Sequence, residues 1–371
     1  MKIEMMKYLS NKISDVNLLK KLIETLCDKS PEEVTKIVNE LKKCNYNFYV
    51  CEIATNPDVL DKRAIEEQIQ LMKALKECDY NEYAYNIATN PDVLDKRAIE
   101  EQIQLMKALK ECDYAEDAYN IAIDSDVLDK RTIEEQMQLI RALKECNYNV
   151  YAYYIATNLG ALDKRTTEEQ IQLMRALKEC EYNFFACEIA IKPDVLDKRT
   201  KEEQIQLMRS LKECDYNEYA CEIAIKPDVL DKRTIEEQIQ LMKALKECDY
   251  AEDAYSIAIK PDVLDKRTIE EQIQLMKALK ECDYNEYAYN IAIDSDVLDK
   301  RTIEEQIQLM KKESLSKKVC HFDNIENILT ISEIKEYIEK LEEELGKDED
   351  IKLYTKVSKY NKKKKINFLK I

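Results

Sequence analysis

The sequence predicts an all-α protein: a right-handed superhelical α-solenoid of eight 34-residue helix-hairpin repeats with terminal capping helices. First, charged residues make up 36% of the 371 residues, and Glu, Lys, Leu, Ile and Ala, which favour helix, are abundant. Second, only two glycines occur, which argues against phosphate loops, dinucleotide loops and many tight β-hairpins. Third, the tetrapeptide Leu-Asp-Lys-Arg recurs every 34 residues, starting at Leu60, Leu94, Leu128, Leu162, Leu196, Leu230, Leu264 and Leu298.

A period of this length is typical of helical arrays, in which stacked copies bury an apolar face that one copy cannot bury alone. Counted from Asn45, the eight repeats fill residues 45–310 without insertion or deletion. Residues 1–44 are then an N-terminal helical cap, residues 311–346 C-terminal capping helices, and residues 347–371 a basic, flexible tail.

Each repeat is predicted to begin its longer helix at a polar cap. In residues 234–248, Thr234 precedes the helix and Glu237 follows three residues later, which is the spacing of a capping box. Apolar residues then form two adjacent rows, one containing Ile239 and Met242 and the other Leu241 and Leu245. Such a broad apolar face can contact two neighbouring helices.

The shorter helix of the same repeat is predicted within residues 216–226. Asp215 and Glu218 are candidates to cap its start, and Pro227 ends it, because proline inside a helix removes a hydrogen bond and clashes with the preceding turn. The segment after Pro227 is predicted to form a single turn that buries Val229 and Leu230 between the helices.

The two ends of the array carry helix signals of their own. Ser30 and Glu33, on either side of Pro31, predict a capped long helix that runs to Cys44 in register with the later copies. Near the other end, apolar residues in residues 331–345 follow a heptad-like spacing that Gly346 stops. Two interpretations remain for that segment: it covers the last repeat, or it forms a coiled-coil seam with a second copy.

Thirteen cysteines are present, and eight of them recur at one position of the repeat. An odd total and the lack of a secretory signal predict reduced thiols and a cytoplasmic location. The recurrent thiols lie on an apolar row, where cysteine packs as a small hydrophobic residue. We therefore expect no disulfide framework, no metal and no cofactor.

The inventory of catalytic residue types also predicts a non-catalytic protein. His321 is the only histidine, so any Ser–His or Cys–His couple would have to use it. The recurrent Glu-Glu pairs stand at helix starts, where carboxylates cap the helix. The acidic segments 124–129 and 294–299 lack the glycine and the distal glutamate of a calcium loop.

Comparison of the eight copies separates the constant positions from the variable ones. The long helix hardly varies, whereas positions 4, 8 and 12 of the repeat do, and their i, i+4, i+8 spacing places them on one helix stripe. We call these positions the variable ladder. The candidate partner-binding residues at position 8 are Glu52, Asn86, Asn120, Tyr154, Glu188, Glu222, Ser256 and Asn290. Those at position 12 are Asn56, Asn90, Asp124, Asn158, Lys192, Lys226, Lys260 and Asp294.

Two interpretations of the variable ladder remain open. It is a recognition surface, with one contact per repeat as in helical-repeat RNA readers, or it is a set of exposed positions that are free to vary. In the second case Glu188 with Lys192, and Glu222 with Lys226, are ordinary i, i+4 ion pairs.

The segment EEQIQLMKALKECDYNEYAYNIATNPDVL, residues 66–94, resembles the repeats of mitochondrial transcription termination factors. The match extends over residues 45–310 and depends on a Pro-x-x-Leu element at Pro57, Pro91, Pro193, Pro227 and Pro261. The resemblance implies a helical superhelix that binds nucleic acid in a basic groove. The chain departs from that family in its acidic repeats and in lacking the glycine between the helices. Its period is also that of tetratricopeptide repeats, which bind peptides, but their glycine and aromatic signature is missing.

Charge favours a protein or peptide partner over nucleic acid. The repeats carry 34 basic and 56 acidic side chains, a net charge of −22, whereas phosphate binding needs clustered Lys and Arg. The Lys-Arg pairs of the tetrapeptide either form a basic stripe or neutralise nearby carboxylates. The tail has a true basic cluster at Lys362, Lys363, Lys364 and Lys365, which binds nucleic acid, anionic lipid or an acidic partner, or is simply solvated.

The expected function is therefore that of a non-catalytic helical-repeat scaffold that binds a protein or peptide along the superhelix surface. A modular nucleic-acid-binding repeat protein is the alternative.

Overall fold

The structure is a computed structural model that describes residues 2–321, with side chains described from residue 6 to residue 314. All regular secondary structure in this range is helical, which confirms the all-α class. The chain divides into two compact units, Met1–Met242 and Lys243–Ile371.

The bounds of the helices show a strict periodicity. The N-terminal helices are α1 (Lys2–Ser10), α2 (Val16–Cys27) and α3 (Pro31–Lys43). They are followed by α4 (Phe48–Ile53), α5 (Pro57–Lys62), α6 (Ile65–Glu77), α7 (Glu82–Thr89), α8 (Pro91–Lys96), α9 (Ile99–Glu111), α10 (Glu116–Ile123), α11 (Ser125–Lys130), α12 (Ile133–Glu145), α13 (Val150–Thr157), α14 (Leu159–Lys164), α15 (Thr167–Glu179), α16 (Phe184–Ile191), α17 (Pro193–Lys198), α18 (Lys201–Glu213), α19 (Glu218–Ile225), α20 (Pro227–Lys232), α21 (Ile235–Glu247), α22 (Glu252–Ile259), α23 (Pro261–Lys266), α24 (Ile269–Glu281), α25 (Glu286–Ile293), α26 (Ser295–Lys300) and α27 (Ile303–His321).

Each 34-residue period contains three helices instead of the two that the sequence predicted. A long helix of 13 residues and a short helix of eight are joined by a third helix of six, such as α20. The prediction of a single turn after Pro227 was wrong because proline takes the first helical position, where its missing N–H costs nothing and its fixed φ suits the helix. Val229 and Leu230 are buried as expected.

In the unit Met1–Met242, the helices from α3 onwards pack against their counterparts in the adjacent periods. The long helices α3, α6, α9, α12, α15 and α18 contact one another in sequence, and so do the short helices α4 to α19 and the third helices α5 to α20. Three stacks of helices result, and nearly every Leu and Met between the stacks is fully buried.

The unit Lys243–Ile371 repeats this arrangement as far as it is described. The short helices α22 and α25, the third helices α23 and α26, and the long helices α24 and α27 pack in the same pairs. The final helix α27 runs on to His321, so the predicted boundary at residue 310 falls inside a helix. The heptad-like segment 331–345 and the tail 347–371 lie outside the described residues, as do the side chains of Cys320 and His321.

The predicted capping boxes are present. Ser30 accepts a hydrogen bond from the backbone N–H of Glu33, whose carboxylate accepts from the N–H of Ser30 in return. Thr234 and Glu237 make the same pair of bonds. In two copies Ala64 and Ala98 stand at this position, so the Glu carboxylate still accepts from the backbone but no side chain caps the helix.

The turn after each long helix uses left-handed backbone without glycine. Two successive residues have φ between 51° and 57° in all eight copies, for example Asp215 and Tyr216. Asp215 therefore does not cap the short helix as predicted, and Asn217 does, through bonds from the N–H groups of Tyr219 and Ala220. The scarcity of glycine does not prevent positive φ here, because Asn and Asp tolerate this region and the helix-terminating bond from the N–H of Tyr216 to the carbonyl of Leu211 fixes the turn.

Within residues 2–321 no helix is long and apolar enough to span a membrane.

Candidate functional site

The structure gives position 12 of the repeat a structural role that the sequence reasoning missed. These residues precede the third helix, and in five copies the side-chain oxygen accepts from the backbone N–H three residues later, over 2.9–3.1 Å. The five capping residues are Asn56, Asn90, Asp124, Asn158 and Asp294. An Asn directly before Pro, as at Asn56 and Asn90, is a usual start signal of a helix and could have revealed this role.

Lysine replaces the cap in the other three copies. Lys192, Lys226 and Lys260 stand at the same position and make no side-chain capping bond. Each is half-buried, whereas a freely variable surface position would be exposed. Proline at the next position supports the helix start in all three copies.

Position 8 of the repeat faces the adjacent copy in several cases. The Glu52 carboxylate lies 3.8 Å from Lys21 Nζ, and Asn86 hydrogen-bonds the hydroxyl of Tyr119 in the next repeat. The Glu188 carboxylate lies 4.0 Å from Cys221 Sγ, again one repeat on. Most position-8 residues are half-buried, but Tyr154 and Asn290 are exposed. Position 8 thus includes some residues that contact a neighbouring repeat and others that are exposed.

Position 4 is exposed in every copy, and there the repeats differ most in chemistry. Five copies carry glutamate: Glu82, Glu116, Glu218, Glu252 and Glu286. Phe48, Val150 and Phe184 replace it in repeats 1, 4 and 5, with 51%, 43% and 49% of their surfaces exposed. Repeats 4 and 5 are neighbours, so two apolar side chains lie side by side on packed short helices.

Aromatic rings extend this apolar surface. Tyr151 lies 6.0 Å from Phe184 and 6.3 Å from Tyr154 between ring centroids, with the planes inclined by about 60° in both pairs. Tyr154 follows Val150 by four residues on α13, so the two side chains share a face. We call Val150, Tyr151, Tyr154 and Phe184 the aromatic patch.

The third helix of repeat 4 diverges as well. Leu159 stands where five other copies have proline, and 48% of its surface is exposed. Gly160 follows, and a Cβ atom there would lie 3.2 Å from both Asn158 Oδ1 and Leu196 Cδ1. Repeat 4 therefore carries apolar or aromatic side chains at three exposed positions, and at two of them, Val150 and Tyr154, most other copies have Glu or Asn. Random variation of a solvated face does not favour this.

Carboxylates border the aromatic patch on both sides. Along the position-4 row, Glu116 precedes Val150 and Glu218 follows Phe184, and all four residues lie on successive packed short helices. Next to Glu116, burial and the neighbouring Glu116 charge raise the pKa of Asp117. Burial and the charges of Asp124 and Asp117 raise the pKa of Tyr153, whose ring centroid lies 6.0 Å from that of Tyr154. The patch is thus bordered by negative charge.

The lysines of the Leu-Asp-Lys-Arg motif form ion pairs with carboxylates. This agrees with the interpretation that they neutralise nearby acidic groups. Lys62 reaches Asp95 at 2.6 Å, and the later lysines reach the aspartate of the following copy in the same way. The other pairs are Lys96–Asp129, Lys130–Asp163, Lys164–Asp197, Lys198–Asp231 and, in the second unit, Lys266–Asp299. These pairs offset the positive charge that a phosphate-binding stripe would need.

The arginines of the motif have a role that the sequence did not predict. The Arg97 guanidinium, only 8% exposed, donates to the carbonyl oxygen of Arg131 at 2.8 Å and to Gln136 Oε1 at 3.3 Å. Gln136 is fully buried, and its amide nitrogen donates to the carbonyls of Ile121 and Ala122 at 3.0 Å. We call this network the Arg–Gln ladder, and it recurs from Arg63, Arg131, Arg165, Arg199 and, in the second unit, Arg267.

The recurrent cysteines pack in the interior. Cys78 and Cys146 are fully buried, and each thiol lies near a backbone carbonyl of the next long helix. Burial raises the pKa of the Cys187 and Cys221 thiols to about 12, which makes thiolate formation unfavourable. No group of three or more His, Cys, Asp or Glu in the described part of the chain is placed to hold a metal ion.

Comparison with protein-family models gives no match, and comparison with curated proteins gives none either. The resemblance to transcription termination factor repeats therefore has no support beyond the residues that suggested it.

Proposed function

We propose that the chain is a non-catalytic helical-repeat protein that binds a macromolecular partner, a protein or a peptide, through the face formed by its short helices. In this proposal the eight 34-residue units form a superhelical α-solenoid. The regular spacing of the helices and the contacts between equivalent helices in each unit support the array.

One observation carries the binding proposal. Exposed apolar side chains gather on the short helices of repeats 4 and 5, at positions where most other copies carry Glu or Asn. Exposed apolar groups that lie together mark interaction sites in soluble proteins. Tyrosine and phenylalanine are also among the residues enriched at protein interfaces.

Nucleic acid is the second candidate and has weaker support. The Lys and Arg side chains of the repeated motif are bonded to neighbouring copies, and the repeats are strongly acidic. Electrostatic binding to phosphate requires cations that can release counterions. The basic cluster at residues 362–365 could supply them, but it lies outside the described residues.

A photo-crosslinking amino acid placed at Tyr154 in the full chain tests the proposal in its native cell. We expect adducts with protein that persist after nuclease treatment. The matched control carries the crosslinker at Gln138, an exposed residue of the long helix α12. Equal protein adducts at both sites, or adducts at Tyr154 that nuclease removes, would contradict the proposal.

A further inference from the structure

We propose that the aromatic patch binds a cationic peptide segment, one in which Arg or Lys alternates with apolar side chains. This inference rests on the proposed function and specifies its partner. The apolar side chains of the segment would contact Val150, Tyr151, Tyr154 and Phe184, and its cations would face the carboxylates on either side.

The order of side chains along the position-4 row is the first argument. In the unit Met1–Met242 the row reads Phe48, Glu82, Glu116, Val150, Phe184 and Glu218. An apolar pair therefore lies between two exposed carboxylates, one repeat away on each side. A segment that crosses the short helices meets negative charge, apolar surface and negative charge in turn, which is the complement of a cation–apolar–cation pattern.

On the side of repeat 3, the acidic border consists of two carboxylates, Glu116 and Asp117. They are adjacent in sequence, and burial together with the repulsion from Glu116 raises the pKa of Asp117. An approaching guanidinium or ammonium group would relieve this repulsion. Asp117 also lies close enough to Tyr153 to affect it electrostatically, and the Tyr153 ring lies 6.0 Å from that of Tyr154. A cation over a tyrosine face gains further attraction.

On the side of repeat 6, burial raises the pKa of the Cys221 thiol, and the nearby charges of Glu188 and Glu218 raise it further. Lys192 is the nearby cation, and it stands at the far end of α16, eight residues or about 12 Å from Phe184. Negative charge thus dominates at the end of the short helices where Phe184 lies. An acidic segment would meet repulsion there.

The test uses a short fluorescein-labelled peptide in which Arg alternates with Leu and Phe, and an otherwise identical peptide with Glu in place of Arg. Fluorescence anisotropy with the full chain at moderate salt measures both affinities. We expect the Arg peptide to bind, more weakly as salt rises, and the Glu peptide not to bind.

The decisive variant is Val150→Glu with Tyr154→Asn and Phe184→Glu. Each new residue is one that another copy carries at the same position, so the fold is preserved, and circular dichroism checks this. The variant gains two negative charges, so purely electrostatic binding of the Arg peptide would strengthen. We expect it instead to weaken at least about tenfold, because the apolar anchor is lost. Phe48→Glu, the same exchange outside the patch, is the control and should leave the affinity unchanged.

A second variant removes charge and keeps the aromatic patch. Glu116→Gln with Asp117→Asn should weaken binding of the Arg peptide by about threefold or more. Glu252→Gln with Asp253→Asn neutralises the same dipeptide in repeat 7, which is not part of the patch, and should have no effect.

The outcomes separate the inference from the function on which it rests. Tighter or unchanged binding of the Arg peptide to the triple variant would overturn the inference, and so would preferred binding of the Glu peptide. If crosslinking at Tyr154 still captures protein in that case, the proposed function stands and only the partner's chemistry is wrong. If crosslinking captures nothing and neither peptide binds, both fail.

Discussion

The guanidinium of Arg97 donates a hydrogen bond to the main-chain carbonyl of Arg131, its own counterpart one repeat later, at 2.8 Å. The same residue type is therefore the donor in one copy and the acceptor in the next. Because the acceptor is a backbone atom, the bond does not depend on the side chain that follows. The Arg–Gln ladder thus joins successive repeats through the same polar bond, which is made from Arg63, Arg97, Arg131, Arg165, Arg199 and Arg267.

Arg97→Ala is expected to lower the free energy of unfolding by about 1–3 kcal/mol, because it leaves buried oxygens of Arg131 and Gln136 without their donor. Lys96→Ala, which removes the exposed ion pair with Asp129, should cost less than about 1 kcal/mol. Urea unfolding of both variants measures the difference. Equal costs would show that the buried network contributes no more than a surface pair.

Ala98→Thr is expected to stabilise the chain by about 0.5–1 kcal/mol, because it completes a capping box that Glu101 has already half formed. The reverse change, Thr132→Ala, removes the bond from the N–H of Glu135 and should destabilise by a similar amount. The midpoints of thermal unfolding of the two variants should shift in opposite directions. Shifts in the same direction would contradict the capping account.

Glu181→Gly is expected to raise the free energy of unfolding by about 0.5–1 kcal/mol, because Glu181 has φ of 57°, a conformation that costs most residues energy. The change loses only an exposed ion pair with Lys212. Asn147→Gly is the matched control, since asparagine tolerates this region better and should gain less. Urea unfolding compares the two, and a larger gain for Asn147→Gly would refute the argument.

The chain should lose stability as the pH rises above about 9. Burial raises the pKa of Cys187, Cys221 and Tyr216 to about 12. Between their ordinary values and 12, the unfolded chain releases protons that the folded chain retains, so alkali favours unfolding. Urea midpoints should be nearly constant from pH 7 to 8 and fall towards pH 11. The double variant Cys187→Ala with Cys221→Ala should show a shallower fall, and a midpoint that rises with pH would contradict this reasoning.

Deleting residues 79–112, one whole period, should leave a folded and shorter chain. The deletion joins Cys78 to Asp113, and every interface that remains already exists between other copies. Deleting residues 79–95 instead removes a short and a third helix and leaves a long helix without its partners. Circular dichroism and melting should show a cooperative transition only for the first variant. Equal damage by both deletions would disprove the modular array.

The extent to which the sequence predicted the fold depends on how local each interaction is. Thr234 and Glu237 are three residues apart, so the capping box could be predicted from the sequence. Gln136 could not be assigned to the interior, since its partner Arg97 lies 39 residues away and polar side chains usually face solvent. The third helix was missed because six residues are too few to show a helical period.

For the candidate site too, local features could be predicted from the sequence and contacts between repeats could not. The sequence showed that positions 4, 8 and 12 vary, but Asn90 and Asp124 looked like ligand-binding residues because the helix that they cap had not been predicted. Val150 and Phe184 were visible as exceptions at position 4. Their significance depends on the packing of α13 against α16, which places them together with Tyr151 and Tyr154.

The bond from Arg97 to Arg131 also bears on how such a gene changes over generations. Since donor and acceptor are the same residue type, an in-frame gain or loss of one unit during recombination creates a junction chemically identical to those already present. The number of repeats can then change between generations without loss of this bond at the new junction. The exchanges in repeats 4 and 5 behave differently, because they would be lost whenever the sequence of a neighbouring unit replaced theirs.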